Sequence, residues 1–227
     1  MTKKVKKKTK IRPLRFFLFL IVLAGIIAVL YFYLTLPVKN LIVSGTSTLT
    51  DAEVLELAGL SDYPSFYFTG SNKIKRQLLA NPFIKEVSVK REFFHVINLE
   101  ITEYKVLFFN KSTNEYILEN KKSVSKEDIN LSLPILLNYV PDVKYDTFVS
   151  KMASIDDSIR QHISEIEYVP NDYDKDRFFL YMDDGNGVYL TLTKFDKINH
   201  YLEVLKEVNG KKGIFYFDSG NHFEVIE

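Results

Sequence analysis

Twenty-one consecutive residues, Phe16 to Leu36, carry no charge and are dominated by Phe, Leu, Ile and Val. At about 1.5 Å of rise per residue the run predicts a helix of roughly 30 Å, the thickness of a bilayer's hydrocarbon core. Tyr31 and Tyr33 fall near one end, where amphipathic rings favour the headgroup level, and Pro37 is expected to stop the helix. The run exceeds the apolar core of a cleaved secretory signal. Its exit, Tyr33-Leu34-Thr35-Leu36-Pro37, offers no small-x-small cleavage site, so an uncleaved transmembrane span over residues 16–36 is expected.

After the span the period shortens. Val38 to Gly45 is a β-prone run closed by Gly, and Thr50-Asp51-Ala52-Glu53 is a capping box ahead of Val54, Leu57 and Ala58, with Gly59 placed to end a helix. Beyond an aromatic loop at Tyr63, Phe66, Tyr67 and Phe68, Ser71 is expected to cap a second helix that presents Ile74, Leu78 and Leu79 on one face, and Asn81-Pro82 breaks it. Strands are expected at Ile84 to Lys90 and at Ile97 to Glu103, where Ile97, Leu99 and Ile101 alternate with polar residues. The order β-α-α-β-β describes a compact α+β module over residues 37–104.

A second module is expected over 105–227. Val106 to Phe109 and Glu115 to Leu118 flank a turn-rich tetrapeptide and read as a hairpin; Asp142 to Met152 and Ile155 to His162 read as short helices. Strands follow at Ile163 to Val169 and Arg177 to Met182, and Asp183-Asp184-Gly185-Asn186-Gly187 is a hairpin turn into Val188 to Leu192. Lys194 to Val208 reads as a helix with Phe195, Ile198, Leu202 and Leu205 on one stripe. Two strands, Ile214 to Phe217 and His222 to Ile226, close the chain around Asp218-Ser219-Gly220-Asn221. The fold class expected for the whole is α+β: a transmembrane helix, a β-α-α-β-β module, then a mostly antiparallel β domain with a few helices.

Charge adds topology. Of the 30 Lys and Arg, eight precede residue 37, against none of the 29 acidic residues, so the part expected to fold carries a net −7. That balance excludes a nucleic-acid binder, which wants a basic face on its folded domain. The basic residues cluster in a tail over 1–15 and, by the positive-inside bias, hold the N-terminus in the cytoplasm and the C-terminal modules outside. The absence of Cys excludes disulfide scaffolds, Cys-ligated zinc and thiol nucleophiles.

With these elements placed, the chain resembles the FtsQ/DivIB family of cell-division proteins over nearly its whole length. Val38-x-x-Leu41-x-Val43-x-Gly45 resembles the opening strand of that family's POTRA domain. Asn81-Pro82-Phe83-Ile84 with Val87 to Arg91, and Ile97-x-Leu99-x-Ile101-x-Glu103, resemble its later strands. Phe94 departs from the pattern, standing where the family usually has Pro. Leu133-Pro134-Ile135-Leu136, the Asp184-Gly185 turn, the Lys194 to Leu205 helix and Phe217-Asp218-Ser219-Gly220 resemble the family's β domain, whereas its Asp-x-Arg before the last element is replaced here by Ile214, Phe215 and Tyr216.

The resemblance implies a non-enzymatic, single-pass scaffold of the divisome, sited at the septum. Its implied partners are DivIC/FtsB-like and FtsL-like bitopic proteins and, through them, the septal peptidoglycan synthase. By position it points to a partner contact at Ser219, Gly220, Asn221, His222, Phe223, Glu224, Val225 and Ile226, with Phe217 leading in and Lys197 and Tyr201 of the preceding helix alongside. The physical route expected is strand addition to an exposed edge, left uncovered by a sequence ending at Glu227.

Other chemistries fit less well. Ser123-Val124-Ser125-Lys126, Ser219-Gly220-Asn221 and Lys211-Lys212-Gly213 match the three pieces of a penicillin-binding site, but in the wrong order. His95, His162, His200 and His222 have no ligand spacing, and the Asp183 to Gly187 run lacks the distal Glu of a calcium loop, so no metal or cofactor is expected. A membrane-anchored cell-wall enzyme or wall-binding module is the alternative reading, and a translocase-type POTRA chaperone a third. Glu103 and Arg91 are candidate functional charges or plain strand-end residues; the aromatic loop is expected to fill core.

Overall fold

A computed structural model describes residues 13–126, 129, 131–220 and 222–226. The basic tail expected over 1–15 lies outside the described residues as far as position 12. The chain divides into two compact units: one of residues up to Ser44 with 51–78 and 87–101, the other of 45–50, 79–86 and 102–227.

In the first unit, helix α1 spans Pro13–Leu34, with Pro at its first position, where a missing N–H costs nothing. It is long and apolar enough to cross a membrane, and its large side chains are exposed from Leu14 to Tyr33. The last turn closes with Thr35 N–H on Tyr31 O and Leu36 N–H on Tyr33 O, so the helix ends before Pro37. Helix α2 (Asp51–Leu57) stops as its sequence demands: Gly59 takes φ +66°, its N–H reaches Glu56 O, and Leu60 N–H reaches Leu55 O, the paired bonds of a Schellman end. Helix α3 spans Ser71–Leu79, but Gly70 O accepts from Lys73 and Ile74, so Gly70 rather than Ser71 occupies the cap.

Strands β1 (Asn40–Ser44), β2 (Ile84–Glu92) and β3 (Val96–Glu103) form a three-stranded sheet in the order β1-β3-β2, with β1 parallel to β3. Ile97, Leu99 and Ile101 are buried in alternation along β3, as the period of two required. Phe94 and His95, in the turn between β2 and β3, both lie in the left-handed region.

The second unit is built on a nine-stranded sheet: β4 (Val106–Asn110), β5 (Glu115–Leu118), β6 (Ser123–Val124), β7 (Ile135–Leu136), β8 (Ile163–Tyr168), β9 (Arg177–Met182), β10 (Gly187–Thr191), β11 (Gly213–Tyr216) and β12 (His222–Val225). The spatial order is β12-β11-β10-β9-β8-β7-β4-β5-β6. The β4–β7, β7–β8 and β10–β11 pairs are parallel and the others antiparallel, so the sheet is mixed. Helix α4 (Asp142–Ala153) packs Phe148, Val149 and Met152 into the core, where Phe148 stacks on Phe178 at 4.7 Å and meets Phe195 edge-on. Helix α5 is one turn, Asp157–Arg160.

The single α-helix expected over 194–208 is instead 3-10 turns over Leu192–His200, kinked at Lys194 (φ −124°, ψ 22°), followed by helix α6, Tyr201–Glu207. The reason lies in spacing. Beyond the kink, Phe195, Ile198 and Tyr201 recur every third residue, which a helix of 3.0 residues per turn stacks into one stripe, and all three are buried. Tyr201, rather than Leu202, continues that stripe.

Candidate partner-binding edge

β12 is the outermost strand at one end of the sheet, and among the described residues no strand lies beyond it. It pairs antiparallel with β11, from Tyr216↔His222 to Gly213↔Val225. Ile226 N–H donates to Lys212 O at 3.0 Å, one step beyond, which fixes the phase of the ladder. Hydrogen-bonded and non-bonded pairs alternate in an antiparallel ladder. The backbone groups of His222, Glu224 and Ile226 therefore turn inward to β11, and those of Phe223 and Val225 turn outward. Gly213 N–H, which faces away from β12, bonds Asn186 Oδ1 at 2.9 Å.

Side chains sort by the pleat. Phe223 lies on Phe215, ring centres 4.5 Å apart, beside a hollow of about 700 Å³ whose other wall is Lys197, His200 and Val204. On the opposite face His222 stacks flat on Tyr216 at 4.4 Å, and Tyr216 Oη donates to Glu224 at 2.7 Å, a bond that raises the phenol's pKa. Val225 and Ile226 are half exposed, and Ser219 and Gly220 form the open turn. Asn221 lies outside the described residues.

Two expected contact residues are buried. Tyr201 is 1% exposed, and its hydroxyl donates to Asp184 Oδ2 at 2.8 Å and accepts from Asn186 Nδ2 at 3.1 Å. Burial, then the Asp184 bond, pushes its pKa well up. Phe217 is 4% exposed and belongs to the core. Tyr201 holds up the edge from behind, whereas Phe217, although buried, lines the hollow beside Phe223.

The turn before β12 is clamped by residues that sequence reading missed. Arg177 Nε donates to Asp218 Oδ2 at 2.7 Å, with the guanidinium 3.5 Å from the centre of the Tyr189 ring; Lys194 Nζ donates to Asp218 O at 2.6 Å. Phe217 and Asp218 N–H both reach Tyr189 O. Forty-one residues separate Arg177 from Asp218, so no local pattern announces the pair.

The competing sites do not assemble. Ser123 sits on β6 and Ser219 beside β12, at opposite ends of the nine-stranded sheet, while Lys126 Nζ donates to Thr48 O. His162 pairs with Asp183 and His200 with Glu203, both near the surface. Among the described residues no three His, Asp or Glu gather as metal ligands. Glu103 is taken up by structure: its carboxylate accepts from the N–H groups of Ser47, Thr48 and Leu49 and from Ser47 Oγ at 2.8–3.1 Å. Arg91 lies over the Phe66 ring at 4.1 Å and donates to Phe66 O. The aromatic loop is not core: Tyr63 and Phe68 are exposed, and Phe66 and Tyr67 are half-buried.

The family model described as "POTRA domain, FtsQ-type" matches residues 36–104. Cell division protein DivIB of Bacillus subtilis (strain 168) is 27% identical over 97% of this chain and 88% of its own length. DivIB of Geobacillus kaustophilus (strain HTA426) is 27% identical over 92% and 80%, and that of Bacillus anthracis 28% over 99% and 86%. The solved major extracytoplasmic domain of the trans isomer of DivIB from Geobacillus stearothermophilus aligns over 48% of this chain and 96% of its own, at 22% identity and a TM-score of 0.39.

Proposed function

We propose that the chain, whose residues 36–104 match the FtsQ-type POTRA model and which is 27% identical to DivIB of Bacillus subtilis, is a member of the FtsQ/DivIB family of cell-division proteins and a non-enzymatic scaffold of the divisome, bound to its partners by strand addition along β12. Helix α1 anchors it in the cell membrane with the N-terminus in the cytoplasm and both units outside, at the septum. The POTRA module occupies 37–104 and the β domain 105–227. DivIC/FtsB-like and FtsL-like bitopic proteins are the partners, and their capture helps regulate the septal peptidoglycan synthase.

One observation carries this reading: β12 is a terminal strand whose Phe223 and Val225 backbone groups turn away from the sheet. An extended partner segment placed there gains main-chain hydrogen bonds for affinity, and the hollow beside Phe223 selects its alternate side chains. His222, Glu224 and the Ser219-Gly220 turn flank the incoming strand.

Co-purification of the full chain with bitopic division proteins tests the proposal. Removing residues 219–227 is expected to abolish capture of the DivIC-like partner. Val225→Pro deletes one outward N–H and should weaken capture while β12 stays paired to β11. Unchanged co-purification by the truncated chain overturns the proposal.

A further inference from the structure

The turn between β2 and β3 ends in Phe93 and Phe94, which are 91% and 84% exposed. They are the most exposed phenylalanines among the described residues, more open even than those of the apolar helix α1. Phe94 and His95 take φ of +63° and +64°, successive positive values of the kind a tight hairpin turn uses, here supplied by a bulky residue rather than Gly or Asn. An adjacent pair of rings, held out in this way at a hairpin tip, needs an apolar environment that the first unit does not supply.

Its position shows where that environment is. Tyr33 lies in the last turn of α1, three residues before the end of the 21-residue uncharged run Phe16 to Leu36. Its ring is 5.0 Å from that of Tyr67 and 6.5 Å from His95, and its hydroxyl accepts a hydrogen bond from Tyr67 Oη. Tyr33, Arg91, Phe93, Phe94 and His95 line one hollow of about 360 Å³. A stretch of that length fills a hydrocarbon core of about 30 Å and leaves Tyr33 at headgroup level. The tip beside Tyr33 is then at the same depth. Arg91 is occupied by Phe66 and Lys90 by Glu100, whereas Glu92, exposed beside Phe93, sets a limit: rings can enter, but its carboxylate stays with the headgroups.

We infer that the β2–β3 tip is a second membrane contact, with Phe93 and Phe94 seated in the interfacial layer of the leaflet from which α1 emerges. The inference rests on the reading of α1 as a transmembrane anchor. Its consequence is orientation: a single helix leaves the first unit free to swivel, and a second foothold beside Tyr33 fixes which face of that unit meets the bilayer.

The chain contains no Trp, so one introduced indole reports alone. The full chain carrying Phe93→Trp, Phe94→Trp or, for the anchor, Tyr31→Trp is reconstituted in phosphatidylcholine/phosphatidylglycerol vesicles. Each indole is then quenched with lipids brominated at successive acyl depths and with aqueous acrylamide. Both tip variants should show blue-shifted emission and be quenched most by the shallowest bromines. Quenching at the tip by acrylamide alone, with Tyr31→Trp still quenched by lipid, overturns the inference and leaves the anchor intact. Tip indoles shielded from both quenchers are covered by protein, which also overturns it. Failure of lipid quenching at all three positions removes the anchor and the inference together.

Discussion

Gly213 tests the candidate edge without altering a residue of β12. A Cβ at this position would fall well inside contact distance of Glu224 O and 2.8 Å from Phe223 Cζ, so Gly213→Ala must push β12 away from β11. Overpacking of this kind costs about 1–3 kcal/mol. β12 has little in reserve against it. Ordering its four residues costs about 1–2 kcal/mol each. The ladder bonds return about 0.5–1.5 kcal/mol apiece and the Phe223–Phe215 ring contact a similar amount. The strand should therefore open locally while the rest of the sheet stays closed. Native-state hydrogen exchange on the full chain reads this directly. Before substitution, the His222, Glu224 and Ile226 amides should be protected and those of Phe223 and Val225 fast. In Gly213→Ala the three protected amides should lose about 5- to 150-fold, the equivalent of that cost, with β8 and β9 unchanged. Equal protection along all five residues before substitution, or undiminished protection after it, refutes the assignment of inward and outward amides.

Two further outcomes follow from the supports behind the edge. Arg177→Ala strands the Asp218 carboxylate, whose side chain is 8% exposed, and should cost about 3 kcal/mol or more in urea denaturation; Arg177→Lys should recover only part, because it loses the stacked guanidinium. Tyr201→Phe removes the donor to Asp184 and should cost about 1–2 kcal/mol at neutral pH. Because the native pKa of Tyr201 is raised, its contribution is whole below the unfolded value of about 10 and fades as pH climbs towards the native one. The stability lost between about pH 8 and pH 11 should thus be smaller in Tyr201→Phe than in the parent, and an equal loss would show that the phenol is not held in its neutral form.

Much of the fold was legible because its signals are local. The apolar run of α1, the Schellman glycine at Gly59, the alternation along β3 and the Asp183 to Gly187 turn each announce themselves within a few residues. Strands β6 and β7 did not, since two residues carry no period and owe their conformation to neighbours already in place. The 3-10 segment was hidden for a related reason: stripes of period 3.0 and 3.6 share Phe195 and Ile198 and part only at the next step, where burial of Tyr201 decides. That divergence also hid the burial of Tyr201 behind the edge. The Arg177–Asp218 clamp joins β9 to a turn forty-one residues further on, and nothing local in the sequence marks Phe93 and Phe94 as exposed.

The claim that matters most is that a partner's backbone joins the sheet at β12. Amide exchange of the full chain in membranes, with and without the extracytoplasmic part of a DivIC-like protein, measures it residue by residue. The account predicts that Phe223 and Val225, fast in the free protein, become strongly protected in the complex while His222 and Glu224 change little. A stable complex in which the Phe223 and Val225 amides still exchange as in the free protein would contradict it.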